Sequence, residues 1–221
     1  MIELEKQGEV FVLRMDAGEN RFGSESIRLW NERLDEVEAA SGPKALVTTG
    51  MGKFYSNGLD LDYMRSGDID PSVYIASVLA IMERVLVFPA ITVAAMNGHA
   101  FGAGAQIALA HDYRVMRKER GYFCMPEIDM GMPLHPGMTA LIQARLPVQS
   151  AHEVIATGTR YPADLALDRC IVDRVEEEAE VVLRAVEMAG SLASKASPVM
   201  SRLKREMYPR VISALRSEMT E

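Results

Sequence analysis

The sequence predicts an α/β protein: an α/β body to about residue 160, then a helical region over residues 161–221. Three observations carry this. Short β-branched runs alternate with helical patterns through the first part of the chain. The stretch Ile91–Asp112 passes from an apolar strand through a glycine-rich turn into an apolar helix. From about Met138 onward, helical periodicity takes over almost completely. With 221 residues, 48% of them hydrophobic, the chain can bury the core of one large domain, with or without a small appendage. It contains no linker, internal repeat or low-complexity tract.

Taken in order, residues 2–6 and 9–15 alternate around Gln7-Gly8, as a β-hairpin does. Ser24 is placed to cap a helix to about Ala40, which Gly42-Pro43 stops. Ala45–Thr49 is a second buried strand, and residues 50–60 form a loop leading into a short acidic helix. Pro71 starts a helical pattern over 72–87, with Val73, Ile75, Leu79, Met82 and Leu86. Ile91 opens the next strand, Asn97-Gly98 turns it, and a helix follows from Ala103 to Ala110. Strands are expected at 113–116 and 122–125, with a charged, solvated turn between them, and Pro126-Glu127 begins a loop ending at Pro136-Gly137. Helices over 138–145, 148–156 and 162–167, a short strand near 171–175, and helices over 177–195 and 198–216 complete the chain, the last interrupted at Pro209.

The totals exclude several classes. A net charge of −7 and an isoelectric point near 5.2 leave no basic stripe for nucleic acid. Cys124 and Cys170 lack metal-ligand spacing and sit in apolar surroundings, so both read as buried free thiols in a reducing compartment, and no metal site is expected. No signal peptide or membrane-length apolar run is present, and Met219-Thr-Glu221 is not a Ser-Lys-Leu tail; a cytoplasmic protein is the expectation.

The chemistry centres on Gly98, Gly102 and Gly104. Here the backbone is stripped of side chains ahead of a helix whose first N–H groups lack intrahelical partners. Such an end binds a phosphate or holds an oxyanion, or it merely packs closely. Ile107 spoils the last small position of a dinucleotide fingerprint, and no Gly-Lys-Ser/Thr follows. An oxyanion site needs a second donor and a nearby acid or base. The loop Phe54-Tyr-Ser56-Asn57-Gly58-Leu59-Asp60 offers the first, and Glu127, among Phe123, Met125, Ile128, Met130 and Met132, the second.

These three segments, Phe54–Asp60, Asn97–Gly104 and Pro126–Gly131, resemble in order and spacing those of the crotonase superfamily, the enoyl-CoA hydratases and isomerases, over nearly the whole chain. The first and third look most like the Δ3,Δ2-enoyl-CoA isomerases. The resemblance implies a spiral of β-β-α units with a helical C-terminal trimerisation region, assembled as a trimer or hexamer. It also implies an acyl-CoA substrate with no separate cofactor, coenzyme A being part of that substrate. Carried over by motif, the N–H groups of Ser56 and Ala103 grip the thioester oxygen, and Glu127 is the acid/base. Arg21, Phe22, Asn57, Gly58, Leu59, Asp60, Leu61, Gly102, Gln106 and His135 are expected to line the substrate, with Arg21 able to meet a phosphate.

Where hydratases carry a second glutamate, this chain has Gln106, whose amide can orient a water but cannot titrate. One base is enough to move a double bond, so an isomerase is the first reading. A hydratase, with His135 supplying the missing group, and a non-catalytic acyl-CoA-binding protein stay open beside it. Asp60 and Asp112 are expected to hold loops and helix ends, and His99 and His111 to make turn and core hydrogen bonds. Many members of the superfamily continue into a further helix that closes over coenzyme A; little follows Leu215 here, so a less covered nucleotide is expected.

Overall fold

The structure, a computed structural model, describes residues 1–218; the terminal tripeptide Met219–Glu221, and the reading made of it above, lie outside the described residues. Nine strands and ten α-helices are formed among them: β1 (Ile2–Gln7), β2 (Val10–Met15), α1 (Ser24–Ala39), β3 (Ala45–Gly50), β4 (Phe54–Ser56), α2 (Leu61–Arg65), α3 (Pro71–Leu86), β5 (Ile91–Met96), β6 (His99–Phe101), α4 (Ala103–Ala110), β7 (Tyr113–Arg117), β8 (Phe123–Cys124), α5 (Pro136–Arg145), α6 (Val148–Thr157), α7 (Ala163–Asp168), β9 (Arg174–Glu176), α8 (Val181–Ser191), α9 (Pro198–Met207) and α10 (Pro209–Leu215).

The strands divide into two sheets. The larger has the order β1-β2-β3-β5-β7-β9, antiparallel only between β1 and β2, and the smaller is the parallel set β4-β6-β8. Three times in succession the chain lays one strand in the large sheet, the next in the small sheet, and then turns into helix. This repetition is the β-β-α spiral. Both faces of the large sheet are covered, so β3 and β5 are buried at nearly every residue, their threonines included. One face, with Val12, Val47, Val93 and Val115, packs on Val181, Ala185 and Ala189 of α8. The other, with Leu13, Leu46 and Ala94, packs on α1, α3 and α4. Helix α10 lies across α3 and α5.

Several expectations need correction. Ser24 does not cap α1: Gly23 holds the N-cap position, and it is Ser26 whose hydroxyl bonds back, to the Arg21 and Gly23 carbonyls at 2.8 and 2.9 Å. The last strand runs Arg174–Glu176 rather than 171–175, because Ile171 and Val172 are spent as buried packing after α7. Helix α8 starts at Val181 rather than 177 and gives way to a 3-10 turn at Ala193–Lys195. Cys124 is buried, but Cys170, in a left-handed conformation (φ 55°) where the chain leaves α7, is exposed. Pro209 does interrupt the final helix, separating α9 from α10.

Candidate active site

Three chain segments leave the small sheet at the same end: β4 into Asn57–Asp60, β6 into Gly102 and α4, and β8 into Pro126-Glu127. Together with α2 and the start of α5 they enclose a cavity of about 390 Å³. Its walls include Leu59, Leu61, Ile75, Phe101, Met130, Met132, Leu134 and Met138, and Arg21, Asn57, Asp62 and Arg65 are its charged and polar lining beside Glu127 and His135. This is the usual make-up of a small-molecule site, apolar with few polar groups.

Two glycines bring the first two segments into contact. Gly58 has φ +83°, and a Cβ there would sit 3.0 Å from the Ala103 nitrogen and 2.7 Å from the Phe101 carbonyl oxygen. A Cβ on Gly104 would collide with the Ser56 carbonyl. The start of α4 therefore rests directly on the backbone of the Ser56–Leu59 turn. Ala103 is the first residue of α4, and its N–H has no intrahelical acceptor. The N–H of Leu59 also makes no hydrogen bond among the described residues, while Phe22, which pairs with it in an isolated parallel bridge, donates to Gly58 instead.

This corrects one expected donor. Ser56 is fully buried, lies in β4 opposite Ala100, and does not line the cavity. Its hydroxyl donates to the Asn20 carbonyl at 2.7 Å. The N–H that this loop offers to the cavity beside Ala103 is that of Leu59. The sequence puts Leu59 against substrate, but an apolar side chain carries no local sign that the backbone N–H beneath it is free.

Glu127 reaches the same place from the third segment. A Cβ on Gly102 would lie 3.3 Å from its Oε1, so the carboxylate sits against the residue that caps α4. Its Oε2 is buried with no hydrogen-bond partner among the described residues. Burial away from water raises its pKa above the ordinary carboxylate value, although a hydrogen bond from its own backbone works the other way. The loop is held by the Glu127 carbonyl, which accepts from Met130 and Met132 at 3.2 and 3.0 Å. Of the expected apolar neighbours, Met130 and Met132 face the cavity, Phe123 and Met125 belong to the core, and Ile128 is exposed.

The remaining expected residues divide. Arg21, Asn57, Leu61, Gly102 and His135 line the cavity. Phe22 does not: it is buried with its ring 6.2 Å from that of Trp30. Asp60 caps α2 by accepting from the Tyr63 N–H at 3.2 Å and faces a neighbouring cleft, the structural role expected of it but not the substrate contact. Gln106 is fully buried in α4, away from the cavity surface, with both amide atoms unpartnered among the described residues. Arg21 is held at 2.7 Å by Glu19, 3.1 Å by Asp62 and 3.9 Å by Asp60.

His135 is fixed as well. Its Nδ1 accepts from the Gly137 N–H at 3.0 Å, so the proton belongs on Nε2, which lies 3.1 Å from the Ser217 carbonyl. Both ring nitrogens are thus engaged in capping α5 and fastening the chain after α10. Among the other histidines, His111 is buried between Thr48 (2.9 Å) and the Ile107 carbonyl (2.7 Å), where burial pushes its pKa down to about 3. Ile75, Phe101, Leu134, Met138 and Arg65 were not expected in the site. In sequence they read as helix or core positions, and only the fold turns them toward the cavity.

Comparison with known proteins agrees with this architecture. Residues 5–220 match the family described as enoyl-CoA hydratase/isomerase. Among curated relatives, the peroxisomal enoyl-CoA delta isomerase 2 of Arabidopsis thaliana is 32% identical, over 97% of this chain and 95% of its own. Enoyl-CoA delta isomerase 3 of the same plant is 34% identical, over 95% and 92%. Among solved structures, an enoyl-CoA hydratase of Mycobacterium ulcerans Agy99 superposes with a TM-score of 0.89 at 24% identity, over 97% of this chain and 94% of that one, a likeness of fold.

Proposed function

The chain belongs to the enoyl-CoA hydratase/isomerase family, and from that premise we propose that it moves the double bond of a 3-enoyl-CoA to the 2 position with Glu127 as its single base. The observation that carries this reading is that, among the described residues, Glu127 is the one cavity-lining carboxylate not held in an ion pair, and two N–H groups with no partner of their own lie at the same cavity. The other carboxylate at the cavity, Asp62, is exposed at the rim and bonded to Arg21. Gln106 is buried out of reach and both ring nitrogens of His135 are already engaged, so among the described residues no second free base lines the cavity to activate a water.

In this mechanism the thioester oxygen lies between the N–H groups of Leu59 and Ala103. Glu127 takes a proton from C2, and negative charge gathers on that oxygen. Loss of one such donor typically costs about 3 kcal/mol of transition-state stabilisation. The same carboxyl then returns the proton at C4, and the double bond comes to rest between C2 and C3. No second base enters. The names of the two plant relatives support this choice over hydration. As part of the same proposal, the enzyme is a homotrimer or a hexamer and works in the cytoplasm. One of these relatives is peroxisomal by name, so fractionation of the source cells decides the compartment.

The test is an assay of purified protein on both reactions. A 3-enoyl-CoA should be converted to the 2-enoyl-CoA, and crotonyl-CoA should be hydrated only slightly. Hydration at an ordinary enzymatic rate, of order 10 s⁻¹, would overturn the one-base argument. Acyl-CoA binding with no turnover on any 3-enoyl-CoA would favour a binding protein.

A further inference from the structure

We infer that Arg65, not Arg21, is the side chain that meets a phosphate of the coenzyme A moiety; this rests on the acyl-CoA reading above. Both arginines line the cavity, as do Asn57 and Asp62. Their charge environments differ. Arg21 is gripped by Glu19 and Asp62 at 2.7 and 3.1 Å, with Asp60 at 3.9 Å, so its charge is more than balanced and its donors point at carboxylates. A phosphate arriving there would meet three anions around one cation. Arg65 closes the last turn of α2, is exposed, and has no carboxylate within ion-pair distance among the described residues.

Asp62 could have neutralised Arg65 from one turn away on the same helix, but it is turned to Arg21 instead. The carboxylates around Arg21 thereby leave Arg65 as a cation with no ion pair among the described residues. A guanidinium suits the task, since its forked donors match phosphate oxygens and it stays charged at any working pH. On a chain of net charge −7, such a cation lining the cavity also offsets the repulsion that a multiply charged anion meets on approach.

The experiment uses the full-length protein, with Arg65→Gln and Arg21→Gln, on two kinds of ligand. One kind carries phosphates: free coenzyme A, its 3′-dephospho form, and a 3-enoyl-CoA. The other is the 3-enoyl thioester of pantetheine, which has none. Arg65→Gln should weaken coenzyme A binding about tenfold in calorimetry and raise KM for the 3-enoyl-CoA by a similar factor. It should leave kcat unchanged, leave the pantetheine thioester unaffected, and flatten the salt dependence of binding. Loss of the effect with 3′-dephospho-coenzyme A would assign the contact to the 3′-phosphate, and its persistence to the pyrophosphate; either supports the inference. An equal loss on the pantetheine thioester, or no loss on any ligand, overturns it, as does a larger phosphate-specific loss in Arg21→Gln. Because coenzyme A binding is read without turnover, a protein that shows the Arg65 effect but no isomerase rate refutes the isomerase reading alone.

Discussion

Glu127 holds a carboxylate in a place built to disfavour its charge, and this gives its replacement two opposite consequences. Glu127→Gln keeps the volume but cannot accept a proton, so kcat should fall by about 10²–10⁴-fold while acyl-CoA affinity changes little. The parent's pH–rate profile should lose activity as pH falls through the Glu127 pKa, at a higher pH than an ordinary carboxylate would give, and the mutant's profile should lack that limb. Stability should move the other way. A carboxyl whose folded pKa is raised favours the fold when protonated, and that contribution is lost as pH rises through the folded pKa. Glu127→Gln should therefore melt higher than the parent at neutral pH, with the gap closing as the solution is acidified. A mutant that keeps most of its isomerase rate places the base elsewhere. His135 is a poor substitute, since Gly137 and Ser217 occupy both ring nitrogens. Gln106 allows a further residue-level test. Its buried amide makes no hydrogen bond among the described residues, so Gln106→Met should cost no stability and could add about 1 kcal/mol, with kcat within a fewfold of the parent. A large loss of kcat in that mutant, with the melting temperature intact, would show that Gln106 acts on the reaction after all.

At the scale of elements, much of the arrangement was legible, and for definite reasons. The hairpin alternates with period two around Gly8, β5 is a β-branched run between Pro89 and Asn97, and α4 follows glycines of the kind that a tight turn or a close approach requires. Less legible was which N–H a turn leaves free. Ser56 and Leu59 are three residues apart in one loop, and the outcome depends on where β4 stops pairing with β6 and on the left-handed turn at Gly58. Pairing partners are long-range facts that no local pattern encodes. Nor could spacing alone show that Phe22 faces Trp30 or that Arg21 is ringed by carboxylates. The contact between α4 and β4 yields its own prediction. Gly104→Ala drives a methyl into the Ser56 carbonyl and must push α4 away from the Leu59 turn. The expected result is a loss of about 1–3 kcal/mol of stability and, since misplacement by about 1 Å can cost 10²-fold, a fall in kcat of that order. Denaturant melts and steady-state kinetics on the same preparation read both. A Gly104→Ala enzyme with parental kcat would show that the spacing of the two N–H groups does not matter.

For the whole molecule, the C-terminal helices have two uses. Val181, Val211 and Leu215, which could have formed an exposed apolar surface, are buried within the chain's own core. Lys204 is buried too, donating to Asp112 at 2.7 Å and to the Ala90 carbonyl at 3.0 Å, which fixes one side of α9 to the chain just before β5 and just after α4. A different face of α9 is left with Val199, Leu203 and Met207, spaced four residues apart and 62%, 55% and 65% exposed. Residues at i, i+4 and i+8 share one helix face, so these form a single apolar stripe on an otherwise polar helix. Such a stripe on a monomer calls for a cover, and in the proposed trimer a neighbouring copy supplies it. Sedimentation should show a trimer or hexamer at micromolar concentration. Leu203→Glu, placed in the middle of the stripe and away from the cavity, should shift the protein toward monomer while leaving the chain folded, since Leu203 adds little to its own core. A stable monomer in the parent would refute the assembly. A Leu203→Glu protein that sediments as the parent does would keep the assembly but move its interface off α9.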